Sequence, residues 1–189
     1  MSAAVTEEFW EFSLEFYGRE GISDLCLRLQ DEGGFDVDYV LLAFWMGLSG
    51  RGRLSDAELE AGLKATTPWN EGVVKVLRQV RRTLKHAPGA APAEAATNFR
   101  KEILAQELEG ERIEHMILVR TLGEKQAESG LPAERRLSDA DHNFRRYAAV
   151  SAAFRTAAPG LSETALDDIL TALLARAMPE AGAAAASRA

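Results

Sequence analysis

Three groups of side chains in this chain have the types and spacing that chemistry requires. The first is a run of cations. Residues 73–86 contain Lys75, Arg78, Arg81, Arg82 and Lys85 and no acid, whereas residues 1–72 hold five bases against fourteen acids. At 100° per residue Val73, Leu77, Val80 and Leu84 stack on one side of a helix and the cations spread over the other. Such a stripe suits an anionic partner, or a second copy of the chain, and equally suits a solvated or internally paired face. The second group is Gln30, Asp31, Glu32, Asp36 and Asp38 around Gly33-Gly34. It reads either as one wall of a ligand pocket or as turn chemistry, with the glycines closing one helix and Asp36 capping the next. The spacing does not fit an EF-hand loop. The third is Glu107, Glu111, Glu114 and His115, with Asp139, Asp141 and His142 further on. A di-carboxylate metal bundle needs Glu-x-x-His, but Arg112 stands three residues before His115. No metal or cofactor is expected on this ground.

Nucleophile patterns are absent: there is no G-x-S-x-G, no phosphate-cradling glycine loop and no dinucleotide fingerprint. Cys26, the single cysteine, falls on the apolar stripe of its helix and reads as a packed small hydrophobe. No catalytic residue is assigned.

These groups need elements to hold them, and the spacing is helical almost throughout. Helices are expected over Glu7–Tyr17 after a Thr6 cap, Ile22–Glu32, Val37–Ser49, and from a Ser55/Glu58 capping box to Ala65. Further helices are expected from Pro68 to Lys85, Ala95–Gln126, from Ser138 to Pro159, and after Ser162. The third is apolar on every side from Tyr39 to Leu48, so neighbours must surround it. On the sixth, Phe99, Ile103, Leu104, Leu108, Ile113, Met116, Ile117 and Leu122 are expected to face inward. The fold class is therefore all-α: about eight helices in an irregular bundle around a buried central helix, with a C-terminal helical extension. The organisation reads as an aromatic-rich bundle over 7–86 and a linker over 87–94. A long helix with a C-terminal hairpin follows over 95–178, and then a disordered tail over 179–189. Ten of the fourteen aromatic residues lie in the first 69 positions, which places the best-packed core there and a lighter layer behind it.

With 22 Lys+Arg against 29 Asp+Glu the net charge is −7, which argues against a surface built for nucleic acid. The longest apolar run, ten residues, falls short of the roughly 20 a membrane span needs. A free cysteine and the lack of a signal-like N-terminus fit the cytoplasm.

Phe9-Trp10-Glu11-Phe12-Ser13, Tyr17, Cys26-Leu27 with Leu29-Gln30-Asp31, Gly34-Phe35-Asp36-Val37-Asp38, Leu41–Trp45, Trp69 and Leu77-Arg78 with Arg81 resemble a family of small uncharacterised bacterial proteins. The likeness implies an all-helical cytosolic protein and carries over no catalytic residue. Two functions stand at this point. One is a protein-interaction or regulatory module that engages an acidic partner, or itself, through the cationic stripe. The other is a small-molecule binder or enzyme with an aromatic-lined pocket near Trp10, Trp45, Trp69 and Gln30–Asp38.

Overall fold

The computed structural model describes residues 3–86, 89, 91–122, 125–154 and 160–178. The described residues form eight α-helices and no strand: α1 Ala3–Tyr17, α2 Ile22–Gly33, α3 Val37–Leu48, α4 Asp56–Trp69, α5 Lys75–Thr83, α6 Ala93–Leu122, α7 Ala133–Ser151 and α8 Glu163–Ala177. None of them is long and apolar enough to cross a membrane. The expected tail lies outside the described residues, as do residues 87, 88 and 90 of the linker.

The central helix is where its composition demands. Every residue of α3 from Asp38 to Gly47 is buried. Phe16 of α1 stacks on Phe44 and Phe9 on Trp45, with ring centroids 5.1 and 4.9 Å apart. Two turns that prepare α3 are also as expected. Gly34, at φ 66°, closes α2 with its N–H on Gln30 O, and Asp36 Oδ1 accepts from Asp38 N at 3.0 Å. Ser55 and Glu58 form the capping box of α4, and Ser162 Oγ caps α8.

α7 does more than add a layer to this bundle. An ideal Cβ on Gly47 would lie 2.3 Å from Ala140 N, so the glycine lets α3 and α7 touch backbone to backbone. Tyr147 stacks on Tyr39 at 5.0 Å and its hydroxyl accepts from Asp36 N at 2.9 Å. Asn143, fully buried, accepts from Leu54 N and donates to Ala43 O and Gly52 O. The aromatic half of the sequence thus finishes its core with Phe144 and Tyr147 of the later half.

Several element limits differ from the sequence expectation. α1 starts at Ala3, with Thr6 buried inside it rather than capping it. α7 starts at Ala133 behind Pro132, so Ser138 lies in the helix and caps nothing. Pro68 does not open a helix. It sits near the end of α4, where its missing N–H leaves a gap in the i→i−4 ladder, and a π-helical turn at Asn70–Val74 follows before α5. Helix α4, this turn and α5 form one continuous rod, and the wide turn carries Asn70 to the inside. α6 runs unbroken through Gly110, whose carbonyl accepts from Trp69 Nε1 at 2.9 Å.

The largest correction concerns which face of α6 is buried. Phe99, Leu104, Leu108 and Met116 are exposed, while Glu107, Glu114 and His115 are buried. A helix normally buries its apolar stripe. α6 buries acids because α5 and the start of α3 supply the groups that answer them.

Candidate functional site: a charged cavity among five helices

Six titratable groups gather where α3, α5 and α6 meet. Glu107 is held by α5: Arg78 Nε donates to its Oε1 at 3.0 Å, and Arg81 Nε donates to its Oε2. Burial works to raise the Glu107 carboxyl, but the hydrogen bonds from Arg81 and Arg78 outweigh it and hold it below the ordinary carboxylate range. Arg78 spans two turns of α6, because its NH2 also donates to Glu111 Oε1 at 2.9 Å. One turn on, His115 Nε2 lies 3.1 Å from Asp38 Oδ1. The ring is held between Phe9, stacked at 4.0 Å, and the edge of Trp10 at 5.3 Å.

Behind this pair sits a second acid group. Asp36, Asp38 and Glu114 offer ligand oxygens that all lie within 4.8 Å of one another, the arrangement that would hold a metal if one were bound. Asn70, swung inward by the π turn, donates to Glu114 Oε2 at 3.0 Å. The other oxygen, Oε1, meets no N–H donor and faces the Asp36 carboxyl. Burial, then the charges of Asp36 and Asp38, push Glu114 far above the usual carboxylate range, and burial followed by the Asp38 charge pushes Asp36 up as well. Both carboxyls are therefore pushed towards the neutral acid.

Beside these groups opens a cavity of about 330 Å³. Its polar lining is Ser13, Gln30, Asp38, Arg78, Arg81, Arg82, Glu107, Glu111 and His115; its aromatic lining is Trp10 and Tyr17. Leu14, Leu27, Leu104 and Leu108 also line it, and all four are exposed, so the cavity has a charged floor and apolar lips. On two of the lining residues, Ser13 and His115, a side-chain atom is buried without a hydrogen-bond partner among the described residues, Ser13 Oγ and His115 Nδ1. Burial, then the charge of Asp38, raises the Glu111 carboxyl to about 8 even with Arg78 beside it.

The residues singled out in the sequence divide between this cavity and other places. Trp10, Gln30, Asp38, Arg78, Arg81 and Arg82 line it. Asp31 stands at its edge and accepts from Arg82 NH2 at 2.7 Å. Asp36 lines a smaller cavity of about 210 Å³ with Asn70, Lys75 and Tyr147. Lys75 pairs with Glu71, one turn back on its own rod, and Lys85 is exposed on the 3-10 turn Leu84–His86. Trp45 faces away from the cavity, against Phe9 and under the Arg51 guanidinium at 4.2 Å. Trp69 is spent on Gly110. The expected pocket among three tryptophans is thus a pocket with one. Asp139, Asp141 and His142 take no part: Asp139 accepts from Arg53 and Arg135, and Asp141 from Arg145. Cys26 is buried, and burial pushes its thiol up to about 12, in keeping with a packing role.

Sequence reasoning missed Ser13 as a lining residue and did not bring Glu111 together with Asp38. The i, i+4 spacing of Glu111 and His115 was a visible signal, but it names a face of α6 and not the helix opposite.

A family described as a protein of unknown function, DUF2390, matches residues 8–118. The chain belongs to that family. No curated protein and no solved structure matches the chain. The matched residues include every residue that lines the 330 Å³ cavity, from Trp10 to His115, together with Asp36 and Glu114 behind it. The helices α7 and α8 lie beyond the matched span.

Proposed function

We propose that the protein binds a small amphipathic molecule in the cavity among α1, α2, α3, α5 and α6. One observation carries the reading: a cavity of about 330 Å³ combines a charged lining, Asp38, Arg78, Arg81, Glu107 and Glu111, with four exposed leucines at its mouth. That volume lies at the lower end of small-molecule sites, about 300–1,000 Å³. A ligand with a polar head and an apolar body would meet the charged lining and cover the lips together. Isolated exposed leucines are ordinary on protein surfaces, but four around one opening form a patch with a use.

Two other readings have less support. A docking face for an acidic partner would need free cations, and Arg78, Arg81 and Arg82 are already engaged by Glu107, Glu111 and Asp31. Ser13, His115 and Asp38 are the residue types of a hydrolytic triad, yet Ser13 Oγ makes no hydrogen bond to the imidazole, so nothing activates it.

The test is a calorimetric titration of the full chain with three eight-carbon probes, octylammonium, octanoate and octanol. A parallel titration uses Ser13→Phe, which fills the cavity from α1. Saturable one-to-one binding of at least one probe, lost in Ser13→Phe with the fold retained by circular dichroism, is the expected result. Binding of none of them, or binding untouched by the filled variant, would remove the reading.

A further inference from the structure

Three carboxyls from two distant parts of the chain converge with no lysine or arginine to answer them. Asp36 and Asp38 stand at the start of α3 and Glu114 in the second half of α6, and their ligand oxygens all lie within 4.8 Å of one another. Among the described residues the one ion-pair partner of the three is His115, beside Asp38. Buried acids elsewhere in the molecule are treated differently. Glu107 is answered by Arg78 and Arg81, and Asp139 by Arg53 and Arg135.

Each of the three carboxyls has one oxygen already fixed. Asp36 Oδ1 accepts from Asp38 N at 3.0 Å, Asp38 Oδ1 lies 3.1 Å from His115 Nε2, and Glu114 Oε2 accepts from Asn70 Nδ2 at 3.0 Å. Glu114 Oε1 is left over. It belongs to a side chain with no exposure, has no hydrogen-bond partner among the described residues, and faces the Asp36 carboxyl. Buried polar atoms are nearly always paired, and two carboxyls turned towards each other need a proton or a cation between them. A second oxygen close by is also without a partner: Tyr39 Oη, on a residue 1% exposed, where the charges that act are those of Asp36 and Glu114. Carboxylates that ligate a metal are themselves hydrogen-bonded, which fixes their orientation. Here the π-helical turn after Pro68 carries Asn70 inside to do this for Glu114, and such turns are frequent at functional sites.

The geometry points to a binding site for one hard divalent cation, Mg²⁺, Mn²⁺ or Ca²⁺, held by Asp36, Asp38 and Glu114 between the start of α3 and the second half of α6. An all-oxygen donor set selects this class. Oxygens that share an ion at about 2.1–2.4 Å stand at most about 4.2–4.8 Å apart, which the three carboxyls already satisfy. The ion has a way in, because Asp36 is part-exposed and lines the cavity of about 210 Å³ together with Asn70. Water from that cavity completes the shell. The Glu-x-x-His pattern missing from α6 has no bearing on this set, which joins an Asp-x-Asp at one helix start to a single Glu far along the chain. The site does not rest on the reading of the larger cavity.

The test is a titration of the chelator-treated full chain with Mn²⁺, followed by calorimetry and by the paramagnetic broadening of protein resonances, with Mg²⁺ and Ca²⁺ as competitors. Saturable binding of one Mn²⁺ per chain is expected, with the strongest broadening at the Asn70 side-chain amide and the Tyr39 ring, and with a rise in melting temperature. Glu114→Gln and Asp36→Asn should each weaken Mn²⁺ by about tenfold or more. Both keep their hydrogen-bond acceptors, Asn still caps α3, and circular dichroism checks each fold. Asp141→Asn, at a distant acid paired with Arg145, should leave the affinity unchanged. No saturable binding would show that protons alone hold the cluster together and would overturn the site. Binding that both variants leave intact, or broadening centred elsewhere, would overturn it equally. Octanol titrations in the same variants report on the larger cavity by themselves, so the two readings stand or fall apart.

Discussion

Glu107 and Glu111, one turn apart on the same helix, show two ways of keeping a carboxyl away from water. Glu107 stays charged because two arginines complete it, and Glu111 leans towards the neutral acid because burial, then the nearby Asp38 charge, outweighs a shared Arg78. Their responses to pH are therefore opposite. A carboxyl raised from 4.5 to about 8 stabilises the fold fully below its unfolded value, and that contribution is lost as pH rises through about 8. One held low, like Glu107, stabilises above its unfolded value and loses this as the solution becomes strongly acidic. Denaturant midpoints measured from pH 5 to 8 should fall for the native protein and fall less for Glu111→Gln. The arginines should separate in the same way. Arg78→Ala removes one of the two guanidiniums on Glu107, whose side chain is 4% exposed, and the one that reaches Glu111, and should lower stability by about 3 kcal/mol. Arg82→Ala removes a pair half-open to solvent and should stay within about 1 kcal/mol. Equal losses in urea melts of the two variants would mean that the buried pair is not special. Much of this was visible in advance as residue types: the cations, the acids at 30–38, and the Glu–His spacing on α6. Their pairing was not, because each bond joins residues dozens of positions apart.

Helices whose burial follows hydropathy were legible; those that break this rule were not. α3 is apolar all round and is found encased, as its pattern demands. α6 misleads because a hydropathy stripe assumes that the core is apolar. Here the inward stripe is Glu107, Gly110, Glu114 and His115, tolerated only because Arg78, Arg81, Asn70 and Asp38 arrive from other elements. The Pro68 expectation failed for a local reason: proline suits a helix start, yet the π turn behind it lets the rod continue. Two glycines give a controlled comparison. Gly47→Ala would drive a Cβ into the backbone of Ala140 and should cost at least about 2 kcal/mol. Gly72→Ala meets open space and should be neutral or stabilising by about 0.5 kcal/mol. Thermal denaturation of the pair reads both signs at once.

Across the molecule, the cavity and the core have different owners. The residues lining the cavity fall within the family-matched span, but α3, which contributes Asp38 and Leu41 to it, needs α7 from outside that span to bury its other side. A chain ending at Leu122 loses Ala140, Asn143, Phe144 and Tyr147 from the core. It should therefore show helical far-ultraviolet dichroism without a cooperative melt. A cooperative transition in calorimetry would show that the bundle needs no such cover. Phe144 and Tyr147 join the core of the early aromatic residues, which aromatic density along the sequence does not reveal. The most direct test of the ligand site is to locate a bound eight-carbon probe by intermolecular nuclear Overhauser effects between the probe and the protein. The account predicts contacts from its methylene chain to the methyl groups of Leu14, Leu104 and Leu108 and to the Trp10 indole. Contacts at Phe154 and Tyr147, in the smaller cavity, or none at all under saturating probe, would contradict it.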